Sequence, residues 1–313
     1  MIWKKHGLCF DVTKTPLQGV YTHASIPFAL PIGEGVFRVF YSSRDGSGKS
    51  LPFYVDAVID DNGISFPGSP VGPLFGFGEL GTFDDSGMMP SSVVRVGEEI
   101  WMYYIGWNPQ VTVSYRLSIG LAISKDGGNT FERYSQGPIL DRDMEEPFFN
   151  TAPYVLREKE SQWKMWYISC TNWEKIHNYP EPQYLVKMAE SEDGIHWKRN
   201  NQRCIDYDDV AKAIGRPCVV PVEPGYTMFF SYRDIVDYRT HKNKGYQIST
   251  AQSKDGRDWV KDDYSNTIPL SDEGWDSMMM EYCHVFEYKG KWHMLYNGNA
   301  YGKDGFGYAT SEG

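Results

Sequence analysis

The chain contains few cysteines and no long apolar run, and both shortages narrow the class of protein. Its five cysteines are scattered, without a Cys-x-x-Cys pair or the spacing of a zinc site: Cys9, Cys170, Cys204, Cys218 and Cys283. We therefore expect reduced, mostly buried thiols, with no bound metal and no cofactor. Because no apolar stretch approaches about 18 residues, we expect no membrane-spanning helix.

Clusters of positive charge and a leader-like segment are also missing. The 31 Lys and Arg residues are spread along a chain with 41 Asp and Glu residues, and the net charge is −10. This balance predicts no nucleic-acid partner, because nucleic-acid binding depends on grouped cations. Residues 1–6 are too short and too polar for a signal peptide, so we expect a cytoplasmic protein.

Helical periodicity is scarce, whereas aromatic residues are abundant. They make up 15% of the chain and include 22 Tyr and 10 Trp. Aromatic side chains fit the pleated surface of β-strands, so the composition favours an all-β protein. Flat aromatic faces also stack on the C–H surfaces of sugars, which makes carbohydrate a plausible ligand class.

One short phrase, Ser-x-Asp-Gly, recurs along the chain at nearly even steps. Clear copies occupy residues 124–127, 191–194 and 253–256, and a weaker copy ends at Gly63. The glycines at 63, 127, 194 and 256 are 64, 67 and 62 residues apart. A period of this length predicts a repeat architecture, with the Asp-Gly pair making a tight turn in each repeat.

Each repeat also carries a β-hairpin and a third strand ahead of this turn, and a Phe or Trp after it opens a fourth strand. Five such units predict a five-bladed β-propeller with four antiparallel strands per blade, forming a single domain over residues 1–313. The alternative, a two-sheet sandwich, does not predict five matched units. The N-terminal segment from Ile2 to Val12 is expected to supply the last strand and close the ring.

The starts of the first strands and the ends of the second strands should meet around one mouth of such a propeller. The segments that precede the first strands contain His23, Asp84, Asp85, Glu145, Glu146, Arg216, Asp276 and Glu281. The second strands end near Arg44, Trp107, Trp173, Arg233 and Asn297. This mixture fits a polyhydroxylated ligand, although each acid could instead cap its loop and each Trp could pack between blades.

These sequences resemble the five-bladed propeller clan of arabinanases, β-xylosidases, levansucrases and invertases. The resemblance covers nearly the whole chain and rests on a Trp/Phe-Asp pair, a strand, a glycine turn and an aromatic strand end: Phe83-Asp84, Trp275-Asp276 and Met102-Tyr103-Tyr104. It implies a glycosidase that uses a pair of carboxyl groups. In that clan an Asp precedes the first strand of blade one, a second Asp lies in blade two, and a Glu stands two residues before the blade-three proline.

This chain departs from the clan at those three positions. Blade one has Ser25 and Ile26, blade two has Met89, and Thr151 stands where the blade-three acid is expected. The candidate roles therefore come from the mouth. Glu281 is our first choice for an acid or base, with Asp84, Asp85, Glu145 or Glu146 as its partner. Arg216 could hold a carboxylate, phosphate or hydroxyl group, and His23 is either a site imidazole or a loop residue.

Two functions lead at this point, ahead of a non-glycosidic enzyme such as a transferase that uses an anionic donor. The first is a carbohydrate-active enzyme, a glycoside hydrolase or a glycosyl-transferring enzyme, that acts on a small or activated sugar at the central mouth. Arg44, Trp107, Trp173, Arg233, Asp276 and Asn297 would then help to bind the sugar. The alternative is a sugar-binding propeller without catalysis, which the missing clan carboxylates favour.

Overall fold

The computed structural model describes residues 2–15, 21–264 and 268–312, which are almost entirely β-strands. In chain order the strands are β1 (Lys4–Asp11), β2 (Thr22–Gly33), β3 (Val36–Arg44), β4 (Ser50–Asp60), β5 (Gly63–Ser65), β6 (Met88–Val96), β7 (Glu99–Pro109), β8 (Tyr115–Ser124), β9 (Glu132–Arg133), β10 (Asn150–Lys159), β11 (Gln162–Ile176), β12 (Tyr179–Ser191), β13 (Lys198–Ile205), β14 (Ala213–Pro221), β15 (Tyr226–Arg233), β16 (Gln247–Ser253), β17 (Val260–Lys261), β18 (Glu281–Tyr288), β19 (Lys291–Asn297) and β20 (Gly305–Glu312). One helical turn, α1 (Asn299–Gly302), precedes β20. None of the described helical residues forms an element long and apolar enough to cross a membrane.

The described strands pair as five antiparallel units of four, which we call blades I to V. They comprise β2–β5, β6–β9, β10–β13, β14–β17, and β18, β19, β20 and β1. A single parallel pair, Tyr184 with Ala213, joins blades III and IV. The first strands β2, β6, β10, β14 and β18 contact one another in a closed ring, so the fold is the predicted β-propeller.

The two ends of the described chain meet in blade V. Strand β1 pairs antiparallel with β20, from Lys4 opposite Thr310 to Asp11 opposite Gly305. Phe10 stacks on Phe306 with ring centroids 4.9 Å apart, which packs the outermost strand onto its blade. The predicted closure of the ring by the N-terminal segment is therefore confirmed.

The Ser-x-Asp-Gly phrase forms the turn between the third and fourth strands of a blade. In blade IV, the Gly256 amide donates to Ser253 Oγ over 2.8 Å and the Arg257 amide donates to Asp255 Oδ1 over 2.9 Å. Gly256 has φ +77°, a left-handed conformation that glycine adopts without a Cβ penalty. The blade III copy makes the same two bonds, and in blade II the amides one residue later, those of Gly128 and Asn129, make them.

Each complete turn also binds the preceding blade. The carbonyl of its glycine accepts a hydrogen bond from a second-strand side chain of that blade. The pairs are Arg38 to Gly127 at 3.0 Å, Tyr103 to Gly194 at 2.9 Å and Trp166 to Gly256 at 2.8 Å. The repeated phrase is thus a joint between neighbouring blades, located away from the centre of the ring.

The first strands of four blades are interrupted near their start by a bulge with left-handed backbone. The bulged residues include Ile26, Ala152, Arg216 and Tyr282, with φ values of 56°, 47°, 51° and 56°. The strand register shifts at each of these places. A bulge re-aims the side chains around it, and these four lie where the inner strands approach the axis.

Candidate functional site

A cavity of about 370 Å³ lies at the centre of the ring, where the first strands begin and the second strands end. This volume is within the range of small-molecule sites, about 300–1,000 Å³. All five blades contribute to its lining, which consists of Ser25, Ile26, Arg44, Met89, Ile105, Trp107, Ser114, Tyr115, Leu117, Phe149, Thr151, Ala152, Ile168, Tyr179, Tyr184, Gly215, Arg216, Arg233, Tyr238, Arg239, Tyr246, Tyr282 and Tyr301.

The chemical character of this lining is aromatic and cationic. It contains seven tyrosines, one tryptophan and four arginines, and no aspartate or glutamate is found among the described residues that form it. Nowhere in the described ranges do three or more His, Cys, Asp or Glu side chains group as they would around a metal ion. The site therefore differs from the acidic mouth that the sequence predicts.

The inner-strand bulges position the centre of the site. All four left-handed residues, Ile26, Ala152, Arg216 and Tyr282, line the cavity. Left-handed backbone is uncommon for residues other than glycine, and for the β-branched Ile26 it is a genuine outlier. Such strain is concentrated at functional sites, so the repeated bulge is a structural reason to place the site here.

Glu281, the first residue of β18, lies just behind this lining. Its side chain is fully buried, and neither carboxyl oxygen makes a hydrogen bond of good geometry within the described part of the chain. Burial raises the pKa of Glu281 well above its ordinary value, and the Tyr301 amide and the guanidinium groups of Arg233 and Arg44 oppose that rise only in part. Burial therefore favours the protonated form of this carboxyl group.

The strand register shows that Glu281 in blade V corresponds to Thr151 in blade III, the position at which the propeller glycosidase clan has its acid. Thr151 pairs with Ile168 and is followed by the blade-III bulge, and Glu281 pairs with Asn297 and is followed by the blade-V bulge. Ser25 and Gly215 stand at the same position in blades I and IV. The carboxyl group thus occupies an equivalent position in a different blade.

Three arginines that line the cavity have no carboxylate partner among the described residues. Arg216 is 1% exposed, and its Nη1 donates to the Cys283 carbonyl over 3.3 Å while Nε and Nη2 have no partner in the described structure. Arg233 is 2% exposed and lies 3.8 Å from the centre of the Tyr238 ring. Arg44 ends β3 at the rim of the cavity and is half-buried.

Two extended segments supply residues that sequence reasoning missed. The long β11–β12 hairpin carries Tyr179 and Tyr184, and the connection at residues 234–246 carries Tyr238, Arg239 and Tyr246. The hydroxyl groups of Tyr184 and Tyr246 hydrogen-bond to each other, which links the two segments. The length of these segments was the available signal, because loops that exceed the blade repeat often carry function.

Three of the predicted site carboxylates bind groups of their own blade instead. Each accepts a hydrogen bond from a second-strand tyrosine and faces a cation of the outer strands. Asp84 contacts Tyr104 and Arg133 at 2.9 and 2.7 Å, Glu146 contacts Tyr167 and Lys187 at 2.8 and 3.6 Å, and Asp276 contacts Tyr296 and Lys5 at 3.2 and 2.9 Å. None of the three lines the cavity, and the repetition indicates a scaffold contact in each blade.

The remaining predicted residues divide between the cavity and its surroundings. Trp107 lines the cavity and packs on Tyr115, with ring centroids 4.5 Å apart. Trp173 does not line the cavity but contacts Tyr115 edge-on, with ring centroids 5.3 Å apart. Asp85 lies outside, where it accepts from the Gly81 amide and Asn108, and Glu145 is exposed on its loop.

Asn297 and His23 do not line the cavity, and Asn297 ties blade V to the start of blade I. The Asn297 side chain accepts from the Ile26 amide over 2.7 Å and donates to the carbonyls of Ala24 and Gly305. These bonds hold the Ile26 bulge in place. Burial and the nearby Arg44 lower the pKa of His23 to about 4, so its imidazole is neutral at pH 7.

The fold of this protein is the β-propeller fold that is also found in glycoside hydrolases. A structure described as "Glycoside hydrolase" superposes with a TM-score of 0.73 at 19% identity, covering 99% of this chain and 91% of that one. The GH32 beta-fructofuranosidase BmSUC1 of Bombyx mori gives a TM-score of 0.62 at 17% identity, covering 93% of this chain and 61% of that one. Identities this low establish a shared fold, and the resemblance found in the sequence is confirmed at that level.

Closer relatives identify the family. The chain is 34% identical over 315 residues to the uncharacterized protein MT1551 of Mycobacterium tuberculosis (strain CDC 1551 / Oshkosh), covering 100% of both chains. The uncharacterized protein Rv1502 of strain ATCC 25618 / H37Rv matches over the same length with the same identity. The protein belongs to the family of MT1551 and Rv1502. No protein-family model matches the sequence.

Proposed function

We propose that this protein binds a small or activated sugar in the central cavity and cleaves or transfers its glycosidic bond. The observation that carries the proposal is Glu281, a buried carboxyl group with a raised pKa beside a cavity of suitable size. A carboxylic acid that remains protonated near neutral pH is suited to protonate a leaving group.

The lining supports sugar binding in particular. Trp107 and Tyr115 present packed aromatic surfaces on one side, and Tyr282 and Tyr301 lie nearly parallel, with 22° between their rings, on another. Such rings contact the apolar faces of a sugar while their polar groups bond to hydroxyls. Four arginines add donors for sugar oxygens.

The proposed step uses one protein carboxyl group. The Glu281 proton moves to the glycosidic oxygen as the bond between that oxygen and the anomeric carbon breaks. The hydroxyl of water or of an acceptor sugar forms the new bond to the anomeric carbon. Its proton returns through solvent to the Glu281 carboxylate, which restores the acid. No second carboxylate is assigned, because Asp84, Glu146 and Asp276 each bind a tyrosine and a cation of their own blade.

Turnover measurements on a substrate panel test this assignment. The panel contains 4-nitrophenyl glycosides, alkyl glycosides, sugar 1-phosphates and nucleotide sugars, with water or simple sugars as acceptors. Glu281→Gln should lower kcat by about 10²–10⁴-fold with little change in affinity. The loss should be smaller for 4-nitrophenol, a good leaving group that needs less protonation, than for an alkyl alcohol. Glu287→Gln, on the exposed end of the same strand, is the matched control.

Equal rates for the wild type and Glu281→Gln, with both leaving groups, would remove Glu281 from the chemistry. The second candidate function, sugar binding without catalysis, is favoured by the carboxylate-free lining. It predicts that sugars bind to both proteins and that neither protein turns over any bound sugar. Calorimetry on the same panel separates the two functions.

A further inference from the structure

The charge of the cavity opposes the charge of the whole protein. The chain has a net charge of −10, yet the described cavity lining contains four arginines and no acidic residue. A concave site focuses the field of the charges that surround it. The cavity is therefore an electropositive site in an acidic protein.

Among the ion pairs of the described residues, only one involves any of the four arginines. Arg239 forms an ion pair with the buried Glu181. Within the described ranges, Arg44, Arg216 and Arg233 have no carboxylate oxygen within the 4.0 Å of an ion pair. A buried cation without a counter-charge is costly, so these three groups favour an anion that enters the cavity.

Arg216 presents the least satisfied of these cations. The bulge of β14 turns its backbone to φ 51°, and the side chain is almost wholly buried while it lines the cavity. Two of its three guanidinium nitrogens have no hydrogen-bond partner in the described structure. Buried donors are nearly always paired, so Nε and Nη2 are available for a ligand oxygen.

Arg233 is held in place by aromatic rings rather than by acids. Its guanidinium carbon lies 3.8, 5.3 and 5.4 Å from the ring centres of Tyr238, Tyr184 and Tyr246. Its Nη1 donates to the Asp234 carbonyl over 2.8 Å, and Nε has no partner among the described groups. This packing fixes the side chain and leaves its positive charge uncompensated.

We propose that Arg44, Arg216 and Arg233 form a subsite for the carboxylate or phosphate group of an anionic sugar. This inference rests on the proposed sugar-binding function and adds the substrate class: a uronic or related acid sugar, or a sugar phosphate. Guanidinium groups match both anions, because each offers paired N–H donors to two oxygens. A neutral sugar would leave the three charges without a counter-charge.

The first experiment tests the anion subsite without a sugar. The thermal unfolding of the wild type is measured with inorganic phosphate or acetate against chloride at equal ionic strength. Phosphate should raise Tm in the wild type and in Arg95→Gln, whose arginine lies exposed at the far end of β6. Arg44→Gln should show no increase in Tm with phosphate. Because Arg44 is only half-buried, we expect this variant to fold. An equal Tm rise in Arg44→Gln and the wild type, or no rise in either, overturns the subsite.

The second experiment tests whether the anion belongs to a sugar. Calorimetry compares matched ligands: glucose, glucuronic acid, glucose 1-phosphate and glucose 6-phosphate, and the galactose and mannose counterparts. An acid sugar or a sugar phosphate should bind at least about tenfold more tightly than its neutral parent, as expected for a charge-assisted pair, and Arg44→Gln should abolish the difference. Preference for the acid or for the phosphate identifies the source of the anion.

The outcomes separate the two proposals. Equal affinities for neutral and anionic sugars overturn the anion subsite but leave the sugar-binding function in place. Binding of phosphate that depends on Arg44, with no sugar of either charge bound, overturns the anionic sugar as substrate and counts against the proposed function. Arg216→Lys keeps the charge without the fork of donors, so a weakened preference in that folded variant supports direct contact.

Discussion

Replacing Glu281 with glutamine should change the way in which stability depends on pH. The carboxyl group is buried without a good hydrogen bond, and its pKa in the folded protein is raised well above that of the unfolded chain. Between those two pKa values the folded state binds one proton more than the unfolded state. The wild type therefore loses stability as pH rises through this window, whereas Glu281→Gln has no proton to lose.

The size of this effect follows from proton linkage. One proton changes the free energy of unfolding by at most about 1.4 kcal/mol per pH unit. For a chain of 313 residues, the entropy of unfolding converts this into about 2 °C of Tm per pH unit. The advantage of Glu281→Gln over the wild type should grow from about pH 5 upward, until the pH passes the pKa of Glu281 in the folded state.

Urea unfolding followed by tryptophan fluorescence at pH 5, 6, 7 and 8 measures this difference. Taking the difference between two proteins cancels groups that both share, including the buried His284, whose pKa is lowered by burial. Glu287→Gln corrects for the general loss of one negative charge from the same strand. If the stability difference stays constant from pH 5 to pH 8, the carboxyl group is ionised throughout, and Glu281 cannot be the proton donor that we propose.

Two further predictions test the scaffold. Asp84→Ala leaves Arg133 without its partner and should lower the free energy of unfolding by about 3 kcal/mol in urea denaturation, with no change in ligand affinity; weaker binding with unchanged stability would argue for a site role instead. Gly256→Ala should cost about 1–2 kcal/mol, because φ is +77° and the new Cβ would meet the Trp166 ring at 2.9 Å. Gly137→Ala, in open space, is its control, and equal Tm values for both variants would contradict the reasoning.

The fold could be predicted from the sequence because the same turns and hairpins recur in each blade at a regular spacing. The Ser-x-Asp-Gly turns set the register of the hairpins, and the strand pairs follow that register. The closing strand was also predictable, because blade V lacked a fourth strand and β1 was left over. Local turn chemistry and alternation of strand residues determine these features, and both can be read without three-dimensional contacts.

The site was only partly accessible, and the reason lies in side-chain direction. Sequence position brings Asp84 and Glu146 close to the mouth, but it does not show that each turns toward a tyrosine of its own blade. The bulges pose a second problem. Along a regular strand, side chains alternate between the two faces of the sheet, and a bulge interrupts this alternation, so the face of a residue near it cannot be inferred from its position. Arg216 and Tyr282 enter the cavity through such bulges. Gly215 and Pro217 flank Arg216, but no Gly or Pro adjoins Tyr282 to mark its bulge in the sequence.

The bonds between turns and preceding blades have a consequence for how the molecule comes apart. Trp166 and Tyr103 donate to carbonyls that belong to the next blade, so a blade that opens alone leaves buried donors unpaired in its neighbour. The cost of opening one of blades I to IV is thereby shared with its neighbour. We therefore expect the linked blades to unfold in one cooperative transition. The repeated Ser-x-Asp-Gly turns make the contacts that couple one blade to the next.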